Sequence, residues 1–396
     1  MKPTNLDWTQ LVRPNGQLNR EMTSHIEILY TGLHGQSVQR FRLKDGNRYI
    51  YKPLPPGDDR FREIQAYLQV MPLLSELAQP PAYPALIAYA APAEQLDILH
   101  ESMLASVAAV EESMVVLSHP VGWIVTEDIG VLEHRHSSAV LEQVIDQMAG
   151  WHTVAAHHLT RLPQTGQKPP LPIASSSLLE RWEQVQAVMQ EIALSIHASA
   201  AHANDTFPSC CEPLPHVSEQ LLLALQHHIY EATERIAAQP SVLLHGDLHA
   251  GNYGVNPQGT MIILDWEHSH AGSLFWDLYH LIDLSHPLFP REMTAELRHS
   301  LLKRYWVASG SGKAIAATHS QRYPVVLRAY NTFAEFEKDY LLYAIIYSIW
   351  MLLLIQNDLR QQPPIWPHAL LLAQQAETQQ HMEQCLAVWQ DTYPAE

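Results

Sequence analysis

Polar and apolar positions along this chain change rhythm partway through. In "HIEILYTGLHGQSVQRFRLKDGNRYIYKPL" (His25–Leu54) the apolar residues come in short runs rich in β-branched and aromatic side chains. Gly32, Gly35 and the turn Lys44–Asn47 break these runs, and the spacing predicts strands. After Pro55–Gly57, "RFREIQAYLQVMPLLSEL" (Arg60–Leu77) switches to helical spacing. Strand-like pieces return at Ala85–Ala90, Ser113–Ser118 and Trp123–Gly130, so the first part reads as a small sheet carrying one helix. From about Ser137 the pattern turns mainly helical. Leu162–Ser177 reads as a Pro/Ser-rich connector, followed by helices at Leu178–His197 and Val217–Ala238 with a loop between them. The longest apolar run, Tyr340–Ile355, falls short of the roughly 20 residues a membrane crossing needs. Flanked by Asp339 and Asp358, it is expected to be a core helix.

Composition narrows the partners. With 396 residues, 47% of them hydrophobic, the chain can bury a large core in one two-lobed unit or in two to three domains. Its 41 acidic against 24 basic residues give a net charge of −17, which disfavours nucleic acid and anionic membrane and favours cationic small partners. Cys210, Cys211 and Cys385 fit neither a disulfide framework nor a zinc spacing. The first residues lack the apolar stretch of a signal peptide, and a cytoplasmic location is expected.

Chemistry concentrates in "SVLLHGDLHAGNYGV", Ser241–Val255. Three readings compete: a metal site, a catalytic loop, or a glycine turn whose histidines pack in the interior. His245 and His249, with His268 and His270 further on, would suit zinc if a helix held the first pair four apart. Gly246 and Gly251 argue for a loop instead. The catalytic reading uses more residues. Asp247 and Asn252 share the loop, and a hairpin through Asn256–Gly259 returns an apolar strand that delivers Asp265. An aspartate to orient a hydroxyl, with an amide oxygen and a carboxylate for a hard cation, is what phosphoryl transfer from a magnesium nucleotide requires.

"HGDLHAGN" followed by "IILDWE" resembles the catalytic and metal motifs of the aminoglycoside phosphotransferase/choline kinase family, and "WDLYHLI" matches a later Asp-Leu helix start. The resemblance implies an α+β, protein-kinase-like fold. A small N-terminal antiparallel sheet lobe with one helix would span residues 1–124, a hinge 125–132, and a larger helical lobe with the catalytic loop and substrate pocket 133–396. It implies ATP and Mg²⁺ as cofactors and a small hydroxylated acceptor, cationic ones included, with the oligomeric state open. Asp247 would be the catalytic base or hydroxyl-orienting group, and Asn252 and Asp265 would hold Mg²⁺. His245 and Asp277 would brace the loop, while Glu267 stands between bracing and substrate contact, as does His249. Lys52, at the end of an alternating strand, and Glu63, eleven residues on, would form the phosphate-facing ion pair. Glu127 and Asp128 lie where the hinge offers backbone groups to adenine. The phosphate-covering loop departs from the kinase pattern, holding only Gly32 and Gly35. Only 12 positions separate Asp265 from Asp277, which favours a small acceptor over a peptide. A catalytically silent nucleotide-binding protein and a histidine-based metalloprotein are the rival classes. Glu335, Glu337 and Asp339 could line an amine pocket, or simply begin a helix where carboxylates suit the positive end. Trp266, Trp276 and Tyr279 could stack on a substrate or pack in the core.

Overall fold

The computed structural model describes residues 7–32, 35–54, 61–101, 114–164, 166, 168–187, 219–310 and 330–392. Ten strands run in chain order: β1 Thr23–Thr31, β2 Ser37–Leu43, β3 Arg48–Pro53, β4 Leu86–Ala91, β5 Val115–Ser118, β6 Trp123–Glu127, β7 Val242–Leu244, β8 Tyr253–Val255, β9 Met261–Ile263 and β10 His270–Gly272. The described helices are α1 Arg62–Gln65, α2 Met71–Ser75, α3 Ala93–Glu101, α4 Ser138–Trp151, α5 Ala156–Leu159, α6 Leu171–Glu180, α7 Glu219–Ala237, α8 Phe275–Ile282, α9 Ala295–Ala308, α10 Phe333–Arg360 and α11 His368–Thr392. Contacts divide the chain into a sheet unit (1–135, 245–247 and 251–269) and a helical unit holding the remainder. The α+β expectation is met.

In the sheet unit, β1 to β6 form one sheet in the order β1-β2-β3-β6-β4-β5. Alternation along β3 and β6 sends successive side chains to opposite faces. Tyr49, Tyr51, Trp123 and Val125 pack with Trp8, Leu11 and Phe41 on one face; Ile124, Tyr89 and Leu54 pack with Ile64 and Leu68 on the other. Lys52, one step from Tyr51 and paired with Ile124, belongs to the second face. That face carries the helical stretch starting at α1, continuing through a π-wound turn at Ala66–Val70 and closing with α2.

Two expectations change here. The sheet is not wholly antiparallel: β4 and β5 run parallel. A parallel pair needs a crossover rather than a tight turn, and α3 stands in that connection, so the unit carries a second helical stretch beyond the one expected. Its sequence "AEQLDILHE" has too weak an apolar stripe to announce itself.

Residues 245–247 and 251–269, which hold Asp247, Asn252 and Asp265, group with the sheet unit. The β8–β9 hairpin is tied there by backbone bonds: Ile263 N–H donates to the Ala82 carbonyl (2.9 Å), and Glu133 and Val255 exchange bonds of 3.0 and 3.1 Å.

In the helical unit, α10 and α11 pack together, and the apolar window of α10 is 78% buried within the protein. The expected core helix is what forms. The connector expected over Leu162–Ser177 is shorter, because α6 begins at Leu171 with a proline in its first turn, where a missing N–H costs nothing. Of the helix expected at Leu178–His197, residues 188–197 lie outside the described residues, as do Cys210 and Cys211. Cys385 is buried in α11 with a free thiol.

Candidate active site

Lys52 is the centre of a compact charged group. Its Nζ lies 2.6 Å from Glu63 Oε2, 3.0 Å from Asp265 Oδ1 and 3.7 Å from Glu267 Oε2. The sheet face that directs Lys52 toward α1 accounts for the first contact, and α1 packs on the turn Trp266–His268, which brings in the others. Burying charges is costly unless they are paired, and the ionisation behaviour follows. Burial, with Asp265 and Glu267 nearby, pushes Glu63 up to about 8 against the pull of Lys52. Glu267 also suffers from burial, yet Lys52 and His268 hold it down at about 2. Burial works against the Lys52 ammonium, but Asp265, Glu63 and Glu267 keep it well above its usual range.

Asp265 reaches this group from an uncommon backbone. It sits at φ 59° and ψ 60°, the one non-glycine residue with positive φ among those described. Aspartate tolerates that left-handed region better than most side chains, and the kink turns the chain out of β9 toward Lys52.

The loop before the hairpin is pinned to the same strand. His245, fully buried, bonds through Nε2 to the Leu264 carbonyl (2.7 Å), while its Nδ1 accepts the Asp247 N–H at 3.3 Å. Those two partners select the tautomer with its proton on Nε2. The ring also packs on Trp266, 4.7 Å between centroids. Gly246 takes φ 88°, a conformation that costs glycine little, and the turn sets up Asp247. Asn252 Nδ2 donates to the Asp247 carbonyl (2.7 Å) and faces its carboxylate Oδ2 at 3.4 Å, while the Leu264 N–H donates to the Asn252 carbonyl. Asp247 and Asn252 are thereby bonded to each other and, through Leu264, tied to the segment that carries Asp265, with His245 bonded to the same Leu264.

Other site residues have different partners. Asp128, nearly inaccessible, bonds Arg40 Nε (3.1 Å), stands 3.6 Å from Arg48 Nε and accepts the Gly130 N–H. Its carboxylate is a structural brace, and only backbone groups were expected to serve a nucleotide at this position. Glu127 ends β6 with an exposed side chain and its N–H bonded to the Ala85 carbonyl. Asp277, in the helical unit, is fully buried and accepts from Trp151 Nε1 at 3.2 Å, with His152 Nε2 at 3.4 Å. Gly32 and Gly35 spend their amides inside their own turn, on Gln36 O and Gly32 O. His249 stacks on His286 in the helical unit, 4.4 Å between centroids.

Two residues gain importance that the sequence did not signal. His268 pairs with Glu267 at 3.2 Å and, despite burial, is raised above its usual pKa by that carboxylate. Tyr30, in β1, remains largely exposed, with a phenol raised by partial burial and pulled down by Lys52. Trp266, Trp276 and Tyr279 are buried.

The carboxylates offer the oxygen donors a hard cation takes, and the cation they already face is the Lys52 ammonium. Oxygens of Glu63, Asp265 and Glu267 lie within 4.8 Å of one another, and among the described residues no histidine joins such a group. Carboxylate oxygens favour Mg²⁺ or Ca²⁺ over zinc, which counts against the histidine metal reading.

Residues 31–314 match the phosphotransferase enzyme family. No curated protein sequence matches the chain. Among solved structures, an aminoglycoside phosphotransferase from Alicyclobacillus acidocaldarius is 11% identical, aligned over 93% of this chain and 92% of its own, with a TM-score of 0.46. The choline kinase LicA from Streptococcus pneumoniae is 15% identical over 91% and 93%, TM-score 0.42. An ethanolamine kinase from Plasmodium vivax is 11% identical over 95% and 85%, TM-score 0.43. With nearly three quarters of its length inside the family match, the chain belongs to the phosphotransferase enzyme family.

Proposed function

We propose that this phosphotransferase moves the γ-phosphoryl group of ATP to a hydroxyl of a small molecule. The observation that carries the reading is the Lys52–Glu63–Asp265 contact set standing beside the bonded Asp247–Asn252 pair. Phosphoryl transfer asks little covalent chemistry of a protein; positioning and charge neutralisation supply the rate. Asp247 orients the acceptor hydroxyl and receives its proton. Lys52, held by Glu63, neutralises phosphate charge, a task the amides of Gly32 and Gly35 do not share because they are already bonded. Asp265 and the amide oxygen of Asn252 would hold Mg²⁺, which would draw charge off the phosphates. His245 fixes the loop through Leu264. Residues 125–132 act as the adenine-facing hinge through backbone groups. The short run between Asp265 and Asp277 fits a small acceptor.

The test is ADP release from ATP and Mg²⁺ across a panel of hydroxylated amines, sugars and amino alcohols. Substrate-stimulated ADP formation is expected, with Asp247→Ala lowering turnover by 10²–10⁴-fold while nucleotide-induced thermal stabilisation persists. Nucleotide binding with no turnover across the panel would mark a silent binding protein, and absence of any nucleotide effect would overturn the reading.

A further inference from the structure

The first strand of the sheet unit breaks its own alternation just before the glycine turn. Along β1 the pairing passes from Ile28 opposite Gln39 to Tyr30 opposite Val38, which leaves Leu29 as one extra residue between the two pairs. Successive side chains on a strand point to opposite faces. A regular strand would therefore set Tyr30 level with Ser37, on the face where Phe41, Tyr49 and Tyr51 pack with Trp8. The bulge reverses this. Val38 alternates with Gln39 and shares the face of Arg40, Ile50 and Lys52, so its partner Tyr30 faces that way too. A β-bulge gives up a place in the ladder and re-aims a side chain, and bulges gather beside active sites.

Tyr30 is turned toward the charged group. The Gln39–Tyr51 and Arg40–Ile50 pairs put Val38 level with Lys52. Tyr30 thus stands two strand spacings from Lys52, about 10 Å between backbones, a gap that two long side chains on one face reach across. Lys52, Asp265, Glu63 and Glu267 all act electrostatically on the phenol, and the phenol acts in turn on Lys52. Partial burial lifts the phenol to about 12, so through the neutral range it keeps its proton and can donate it. Core packing does not account for the residue: Tyr30 is 53% exposed, in the same strand as Ile28 at 63%. The backbone that follows is nevertheless fixed. The Thr31 and Ser37 hydroxyls bond at 2.8 Å, and the Gly32 and Gly35 amides close the turn on the Gln36 and Gly32 carbonyls. An anion on this face meets no donor from those two amides, whereas Tyr30 brings it a hydroxyl.

We propose that the Tyr30 hydroxyl donates to the phosphate chain of the bound nucleotide, standing in for the amides that a glycine-rich loop would offer. This rests on the ATP reading above, and the test separates the two. The full chain and its Tyr30→Phe variant are titrated with ATP plus Mg²⁺ and with adenosine, followed by calorimetry and thermal shift. Phe keeps the ring at an exposed position, so the melting temperature without ligand should not move. Hydrogen bonds to charged groups are among the stronger ones. Tyr30→Phe is therefore expected to bind ATP roughly tenfold more weakly and adenosine as the parent does. Equal ATP binding by the two proteins, or an equal loss for ATP and adenosine, would overturn the role of the hydroxyl and leave the ATP reading standing. A parent chain that binds no ATP would overturn both.

Discussion

Asp265 combines a carboxylate beside Lys52 with a left-handed backbone, and the two can be separated. Asn keeps a short polar group that tolerates φ 59°, whereas Ala adds left-handed strain of about 1–2 kcal/mol. Asp265→Asn is expected to hold its melting temperature within a degree or two yet lose turnover, and Asp265→Ala to lose both, read by thermal denaturation beside the ADP assay. At Lys52 the expectation differs. Lys52→Met leaves Glu63, Asp265 and Glu267 clustered without their cation, a defect of about 3–5 kcal/mol for a buried pair broken on one side. The loss should shrink as pH falls and the carboxylates protonate, which denaturation at several pH values would show. The Lys52–Glu63 pair was legible because strand alternation and helical spacing both run locally. The burden on Asp128 was not, since Arg40 lies 88 positions away and only the sheet brings it close.

At the level of elements, the acidic start of α10 illustrates how local signals decide between readings. Thr332 accepts the Glu335 N–H at 3.2 Å while Glu335 accepts the Asn331 N–H at 2.8 Å, close to the reciprocal capping arrangement. Glu337 bonds His299 at 2.7 Å, and Asp339 is gripped by Arg235 and by the Tyr330 hydroxyl. These three carboxylates serve the helix and its neighbours, in line with the helix-start reading. Thr332→Ala should therefore cost about 1 kcal/mol of stability and leave the KM for acceptor unchanged, measured by denaturant titration and steady-state kinetics. Element boundaries were harder to read where signals conflict. The prolines before α6 look like linker, yet one of them sits where a helix accepts it.

For the molecule as a whole, a half-buried acid outside the charged group adds its own contribution to the pH dependence of stability. Burial lifts Glu377 to about 7 against the pull of Arg291. In the unfolded chain it ionises near 4.5, so between those values the unfolded state holds fewer protons and stability falls as pH rises. Glu377→Gln removes this dependence; its advantage over the parent should be absent below pH 4.5 and reach about 1–2 kcal/mol above pH 7, allowing for solvent screening. The division into a sheet unit and a helical unit was legible from the change of rhythm, but the seam was not, because the hairpin's loyalty to the sheet comes from backbone bonds with no side-chain signature. The three carboxylates gathered around a single ammonium carry a last implication. Above about pH 8, where Glu63 has ionised, they leave a local surplus of negative charge inside an anionic chain, so bare ATP should be turned away at the door and admitted only with a divalent escort. Added monovalent salt, by muting that repulsion, should then speed the arrival of nucleotide rather than slow it.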